Sequence, residues 1–180
     1  MKYIKRIVFL FIFILSLIGC ILIYNHISSN KYRVNMENQC IVAINNLLNA
    51  DPEDKGFIIF SADSDYKYVQ YAREDFGLSL DWPIFSDRKE RNNEIANKAV
   101  EILLKHGFSF YDENSNDPPF KILGYKKMMY SKINENISSL NANVGNDADE
   151  IYNLTKELFS YVFKFNNLNK VKIELELNNN

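Results

Sequence analysis

The chain is poor in the residues from which reactive sites are usually built. It holds two cysteines and two histidines in 180 residues. Cys20 lies inside a long apolar run, which leaves Cys40 as the thiol of the remainder and no pair for an internal disulfide. Cys20, Cys40, His26 and His106 are too dispersed for a zinc site, and no D-x-D-x-D-G loop suggests calcium. A hydrolytic triad needs a base beside its nucleophile, and neither histidine adjoins a G-x-S-x-G motif. Six scattered glycines form no phosphate-binding loop and no dinucleotide fingerprint. The net charge of −2 supplies no basic field for nucleic acid. The acidic pairs Asp63/Asp65 and Asp147/Asp149 read as turn chemistry and as a helix start. The chain is therefore expected to be non-enzymatic, with no catalytic, cofactor-binding or metal-binding residues.

What the chain does have is grease at its beginning. Behind the basic start Met1–Arg6, residues Ile7 to Tyr24 carry no charge. At about 1.5 Å per residue the run spans roughly 27 Å, close to the hydrocarbon thickness of a bilayer. A cleaved secretory signal would need a small-residue site after the apolar core, and none follows. Leu17-Ile18-Gly19-Cys20 resembles the lipobox of bacterial lipoproteins, which would make Cys20 a lipid-attachment site. Against that, Ile21 to Tyr24 prolong the apolar run where a polar tether is usual, so a single-pass transmembrane anchor is the favoured reading. Lys2, Lys5 and Arg6 outnumber Lys31 and Arg33, which places the domain outside the cytoplasm. Acylation at Cys20 would leave it on the same side.

About 155 residues follow the anchor, enough for one domain with a real core. Residues 25–32 read as a tether, 33–177 as the domain and 178–180 as a tail. From Arg33 to Ala50, Met36, Cys40, Ile44, Leu47 and Leu48 recur at helical spacing. Three strands are expected next, at Gly56–Ser61, Tyr66–Arg73 and Leu78–Trp82, the last ended by Pro83. Asp87 and Glu90 form a capping pair for a second helix with Ile95, Ala99, Val100, Leu103 and Leu104 on one stripe. Gly107 is suited to the position past its end, with His106 in the last turn. Phe108–Tyr111 reads as a short strand and Phe120–Ile133 as a further strand or strand pair. Asn134–Asn146 reads as a polar connection. Asp147 and Glu150 repeat the capping pattern before a third helix, and Val171–Leu177 alternates with period two. The expected fold is α+β, in the order α-β-β-β-α-β-β-α-β: an antiparallel sheet with helices on one face, behind one transmembrane helix.

Aromatics are the feature in excess. Tyr66, Tyr68 and Tyr71, followed by Phe76 and Trp82, either pack the sheet against its helices or anchor a partner from an exposed face. Cys40, on the first helical stripe, is expected to act as a buried small hydrophobe.

The stretch Tyr68-Val69-Gln70-Tyr71-Ala72, then Leu78-Ser79-Leu80-Asp81, and a helix closing at His106-Gly107-Phe108 resemble the TY-Chap (YbjN-like) domains. These are related in fold to class I type III secretion chaperones. Leu154-Thr155-Lys156-Glu157-Leu158-Phe159 resembles the final helix of that group. The resemblance covers about Met36 to Leu177 and implies a helix–sheet sandwich that binds protein or peptide, with no catalytic residues. The chain departs from the group in its apolar leader and its additional last strand. The expected function is a membrane-tethered binding module of a bacterial envelope. An immunity-type protein that neutralises a toxin, or the same domain held as a lipoprotein through Cys20, are the alternatives.

Overall fold

Among the described residues of a computed structural model, period-two and helical patterns resolve into three helices and one seven-stranded sheet. The structure describes residues 36–62, 64–84, 93–111, 124–133 and 136–177. The apolar run 7–24, with Cys20, and the capping pair Asp87/Glu90 lie outside them. No helix among the described residues is long and apolar enough to cross a membrane. From Asn38 onward the chain forms one compact unit.

The elements are α1 (residues 36–48), β1 (Phe57–Ala62), β2 (Ser64–Glu74), β3 (Gly77–Pro83), α2 (Asn93–Lys105), β4 (Ser109–Phe110), β5 (Lys127–Ile133), β6 (Asn136–Gly145), α3 (Ala148–Glu157) and β7 (Lys172–Glu176). α3 runs on into a π-helical turn, Leu158–Val162. The class is α+β, as expected, but two details differ. The sheet, in the order β4-β5-β6-β3-β2-β1-β7, is mixed, because the two-residue strand β4 runs parallel to β5. The stretch expected to be a polar connection contains β6, which pairs with β3 and β5 in the middle of the sheet. Its asparagines and serines disfavour strands as a class. Leu140, Ala142 and Val144 nevertheless alternate, and all three are buried.

Register builds the core. One row runs Leu175, Ile58, Tyr71, Leu80, Ala142, Met128 across six strands. Ile58, Tyr71, Leu80, Ala142 and Met128 in that row are fully buried. Phe60 opposite Val69 and Trp82 opposite Leu140 extend the same face. Each large apolar side chain removed from water here contributes roughly 1.5–3 kcal/mol. The helices answer with narrow stripes: Cys40, Ile44 and Leu47 from α1, and Ala96, Ala99, Ile102 and Leu103 from α2. Cys40 is thus a buried member of the α1 stripe, as expected.

Caps and turns hold these elements in place. Gly107 takes φ +84° past the end of α2. There Gly107 N–H donates to Leu104 O and Phe108 N–H to Leu103 O, both at 3.0 Å. This closure suits glycine because the left-handed region carries no Cβ penalty for it. Asp147 Oδ1 accepts from the N–H groups of Asp149 and Glu150 at 3.0 Å, starting α3 as the capping pattern predicts.

A pair of glycines fastens β3 to β6. Leu78 lies opposite Gly145 and Ser79 opposite Asn143, so Val144 is the extra residue of a β-bulge. Gly145 has φ +77° and Gly77 φ +130°, and a Cβ on Gly77 would overlap the Gly145 carbonyl. Asn143, 2% exposed, accepts Gly145 N–H on its side-chain oxygen at 2.9 Å. The buried asparagine thereby supplies the partner that the irregular backbone lacks.

Candidate interaction surface

Alternation gives the sheet two chemically different faces. The helix contacts arise from the apolar one. Tyr71 OH bonds Thr155 Oγ1 of α3 at 2.8 Å, and Trp82 stacks on Phe163 just after the π-helical turn, with ring centroids 5.4 Å apart. Arg73, two residues along β2 from Tyr71, donates from Nε to Ala50 O just past α1 at 3.2 Å, where a cation also suits the helix dipole. Tyr130 OH reaches Asn97 of α2 at 3.5 Å.

The other face is made by the intervening residues. Its central row is Glu174, Ile59, Gln70, Asp81, Asn141, Met129. Flanking rows place Ser61 opposite Tyr68, and Ser139 between Pro83 and Ser131. These side chains are half-buried apart from the exposed Glu174 at the sheet edge. Within these rows, between β1 and β5, the one charge is Asp81. The row on the other flank, Phe57, Ala72, Ser79 and Asn143, ends beside Lys127 of β5, and Glu74 shares the face at the end of β2. Gln70 Nε2 donates to Asp81 Oδ2 at 3.4 Å. Asn141 Nδ2 donates to Ser139 Oγ at 2.9 Å and also to Ser131 Oγ. The result is a platform of amides and hydroxyls already oriented by one another. Tyrosine, serine and asparagine recur in protein-binding loops because they give contact area and adaptable hydrogen bonds at little entropic cost. Depletion of lysine and glutamate is the mark of an interface centre.

The five aromatics singled out from the sequence do not act together. Tyr71 and Trp82 are fully buried on the helix side, so neither can anchor a partner from outside. That is a correction with a simple cause: Tyr71 alternates with Val69, and Trp82 with Leu80, on the core face. Tyr68 belongs to the polar face. Phe76 is half-buried in the turn between β2 and β3, and Tyr66 lies in β2, its side chain outside the described set. Gln70, Asp81, Ser131, Ser139 and Asn141 were not singled out from the sequence. The available signal was their place between core residues, but β6 had to be recognised as a strand first.

A second concentration of polar groups lies along the seam of α2 and α3. Tyr161 OH donates to Glu101 Oε2 at 3.0 Å, and Lys105 Nζ meets Glu157 Oε2 at 2.8 Å. His106 Nε2 is 3.4 Å from the other oxygen of Glu157, so His106 is partly enclosed rather than a plain surface residue. Glu101, Ile102, Lys105, Glu157, Ser160 and Tyr161 line an open cleft of about 440 Å³. Nearby, Lys126 Nζ bridges Glu150 Oε1 at 2.7 Å and His106 O at 3.0 Å, while Tyr125 OH donates to Glu150 Oε2 at 2.7 Å. Glu150 thus serves Lys126 and Tyr125.

The titration shifts mostly deepen ordinary charge states. Hydrogen bonding to Lys126 lowers the Glu150 pKa, and hydrogen bonding to Lys105 lowers that of Glu157. Lys126 is raised by its bond to Glu150, and Tyr161 by its bond to Glu101. A general acid or base at neutral pH needs the opposite direction. Glu74 is the exception, raised by burial and by Asp75. Among the described residues, no three histidine, cysteine, aspartate or glutamate side chains are grouped so as to hold a metal ion.

No protein-family model, curated protein or solved structure matches this chain.

Proposed function

We propose that the chain is a non-enzymatic binding module, held at a bacterial membrane by residues 7–24, whose polar sheet face receives a protein or peptide partner. The observation that carries this reading is the platform Gln70–Asp81–Asn141 with Tyr68, Ser131 and Ser139. It is low in charge and ordered by internal hydrogen bonds, on the side of the sheet opposite Thr155 and Phe163. Groups fixed before binding lose less freedom on association, so affinity is gained without a large apolar patch. The TY-Chap resemblance agrees with this reading, as a proposed kinship of fold. The apolar leader supports a place at the envelope, either as a transmembrane helix or through acylated Cys20.

Affinity capture with full-length protein in detergent tests the surface. Asn141→Arg and Gln70→Arg put long charged side chains on the platform without touching the core. Loss of the captured partner in both variants, with unchanged unfolding behaviour, is expected. A partner retained by both would refute the surface. A single stoichiometric partner that is itself toxic would assign the module to the immunity class. Mass spectrometry of the mature N-terminus separates an intact anchor from a lipid on Cys20, and quantitative extraction without detergent would overturn the membrane assignment.

A further inference from the structure

β7 is the outer strand at one end of the sheet. Its inner side pairs with β1, from Lys172 opposite Ser61 to Glu176 opposite Phe57. Among the described residues nothing pairs with its outer side, so the strand presents backbone donors and acceptors along its length, a template for another strand. Lys172, Glu174 and Glu176 are exposed, while Ile173 and Leu175 are half-buried at the rim of the core.

The order of residues along this edge is complementary to its own reverse. On either side of Ile173 stand Lys172 and Glu174, then Val171 and Leu175, then Lys170 and Glu176. An antiparallel copy with Ile173 opposite Ile173 therefore sets Lys172 against Glu174 twice, and Val171 against Leu175 twice. Lys170, in the 3₁₀ turn Leu168–Lys170 just before the strand, meets Glu176 if pairing grows by one turn. Alternation puts the ion pairs on the polar face and the apolar pairs on the helix side, where Leu175 and Ile173 already lie opposite Ile58 and Phe60. A parallel copy in register would instead set lysine on lysine and glutamate on glutamate, which is unfavourable. Charges that merely guard an edge need no such order, since any like-charged row repels a copy of itself.

We propose that β7 is a self-association edge: two copies of the chain join β7 to β7, antiparallel, about a two-fold axis at Ile173, continuing one sheet into the other. The contact is isologous, as closed dimers require. It uses the β7 edge, which meets the polar face at Glu174 but not the Gln70–Asp81–Asn141 platform, so Gln70→Arg and Asn141→Arg test the platform alone and K172E tests the edge alone.

Charge swaps on the full-length protein in detergent micelles test it, with mass read by sedimentation. K172E and E174K each convert both central ion pairs into like-charge pairs. Two attractive cross-strand pairs become two repulsive ones in either variant, so about tenfold weaker dimerisation is expected of either variant alone. An equimolar mixture of the two variants restores every pair and should form heterodimers as tightly as wild type. The double variant K172E/E174K should dimerise with itself. A mixture that stays monomeric, a K172E protein that dimerises like wild type, or a wild type monomeric throughout would each overturn the proposal. Register has its own readout. In a Cys20→Ser background, oxidation should cross-link Ile173→Cys to its copy faster than Leu175→Cys, and equal rates would refute the Ile173 axis.

Discussion

Tyr71 donates its hydroxyl proton to Thr155 Oγ1 across 2.8 Å, because Thr155 has already committed its own proton to Ile151 O at 2.7 Å. The bond joins the centre of the sheet to α3 in a region where Tyr71 is fully buried and Thr155 is 4% exposed. Removing the two partners should therefore be unequal. Thr155→Val strands a buried phenol and is expected to cost about 1–3 kcal/mol, whereas Tyr71→Phe should cost about 0.5–1.5 kcal/mol. The double variant should lose less than the sum. Denaturant unfolding of the three proteins checks the order.

The same burial drives the Tyr71 pKa far above the usual tyrosine value. A group whose folded pKa is raised stabilises the fold below its unfolded pKa, and that stability is lost as pH rises. Unfolding should therefore become easier above about pH 10, where the unfolded chain ionises Tyr71 and the native one resists. Tyr71→Phe should blunt the alkaline fall. At the acid end the sign reverses. Glu150 and Glu157 have lowered values, so their contribution is present above about pH 4.3 and fades as pH drops through the folded values. Both carboxylates are near one-third exposed, so each is worth at most about 1 kcal/mol. Glu150→Gln with Glu157→Gln should flatten the acid limb of a stability–pH curve.

Gly77 and Gly145 should differ in their tolerance of alanine. A methyl on Gly77 runs into the Gly145 backbone, which cannot turn away, and Gly77→Ala should cost well over 1 kcal/mol. A methyl on Gly145 meets the Tyr125 ring at 2.6 Å, and that ring is 57% exposed. Tyr125→Ala should therefore recover part of the loss in Gly145→Ala, less the strain of φ +77°, and recover nothing in Gly77→Ala. Thermal unfolding of the four proteins decides.

Trp82 is the chain's only tryptophan, fully buried and stacked on Phe163. Its native emission should be blue-shifted and should stay so when a partner occupies the polar face, since Trp82 lies on the other side of the sheet. A red shift on binding would show that the partner opens the core. Phe163→Ala removes the stacked ring and should cost about 3–5 kcal/mol.

Legibility in the sequence followed how far local pattern decides structure. β7 and the start of α3 were readable because alternation around Ile173 and the Asp147 cap act over a few residues. β6 was not, because its strand state comes from burial between β3 and β5, which overrides the weak propensity of Asn141 and Asn143. The platform was hidden for the same reason: Gln70, Asp81 and Asn141 are far apart in the chain and meet only once register aligns three strands. The aromatics misled through their number, when their parity along β2 and β3 assigned Tyr71 and Trp82 to the core. The parallel pairing of Ser109–Phe110 with β5 left no local trace.

Because β7 closes against β1, the first strand of the sheet obtains its outer neighbour from a strand made after every other described strand. Ile58 and Phe60 must wait, one flank bare, until residues 172–176 are synthesised. A nonsense codon shortly before Lys172 would spare α1, α2 and α3 and yet release a sticky, unfinished product with β1 bare on one flank.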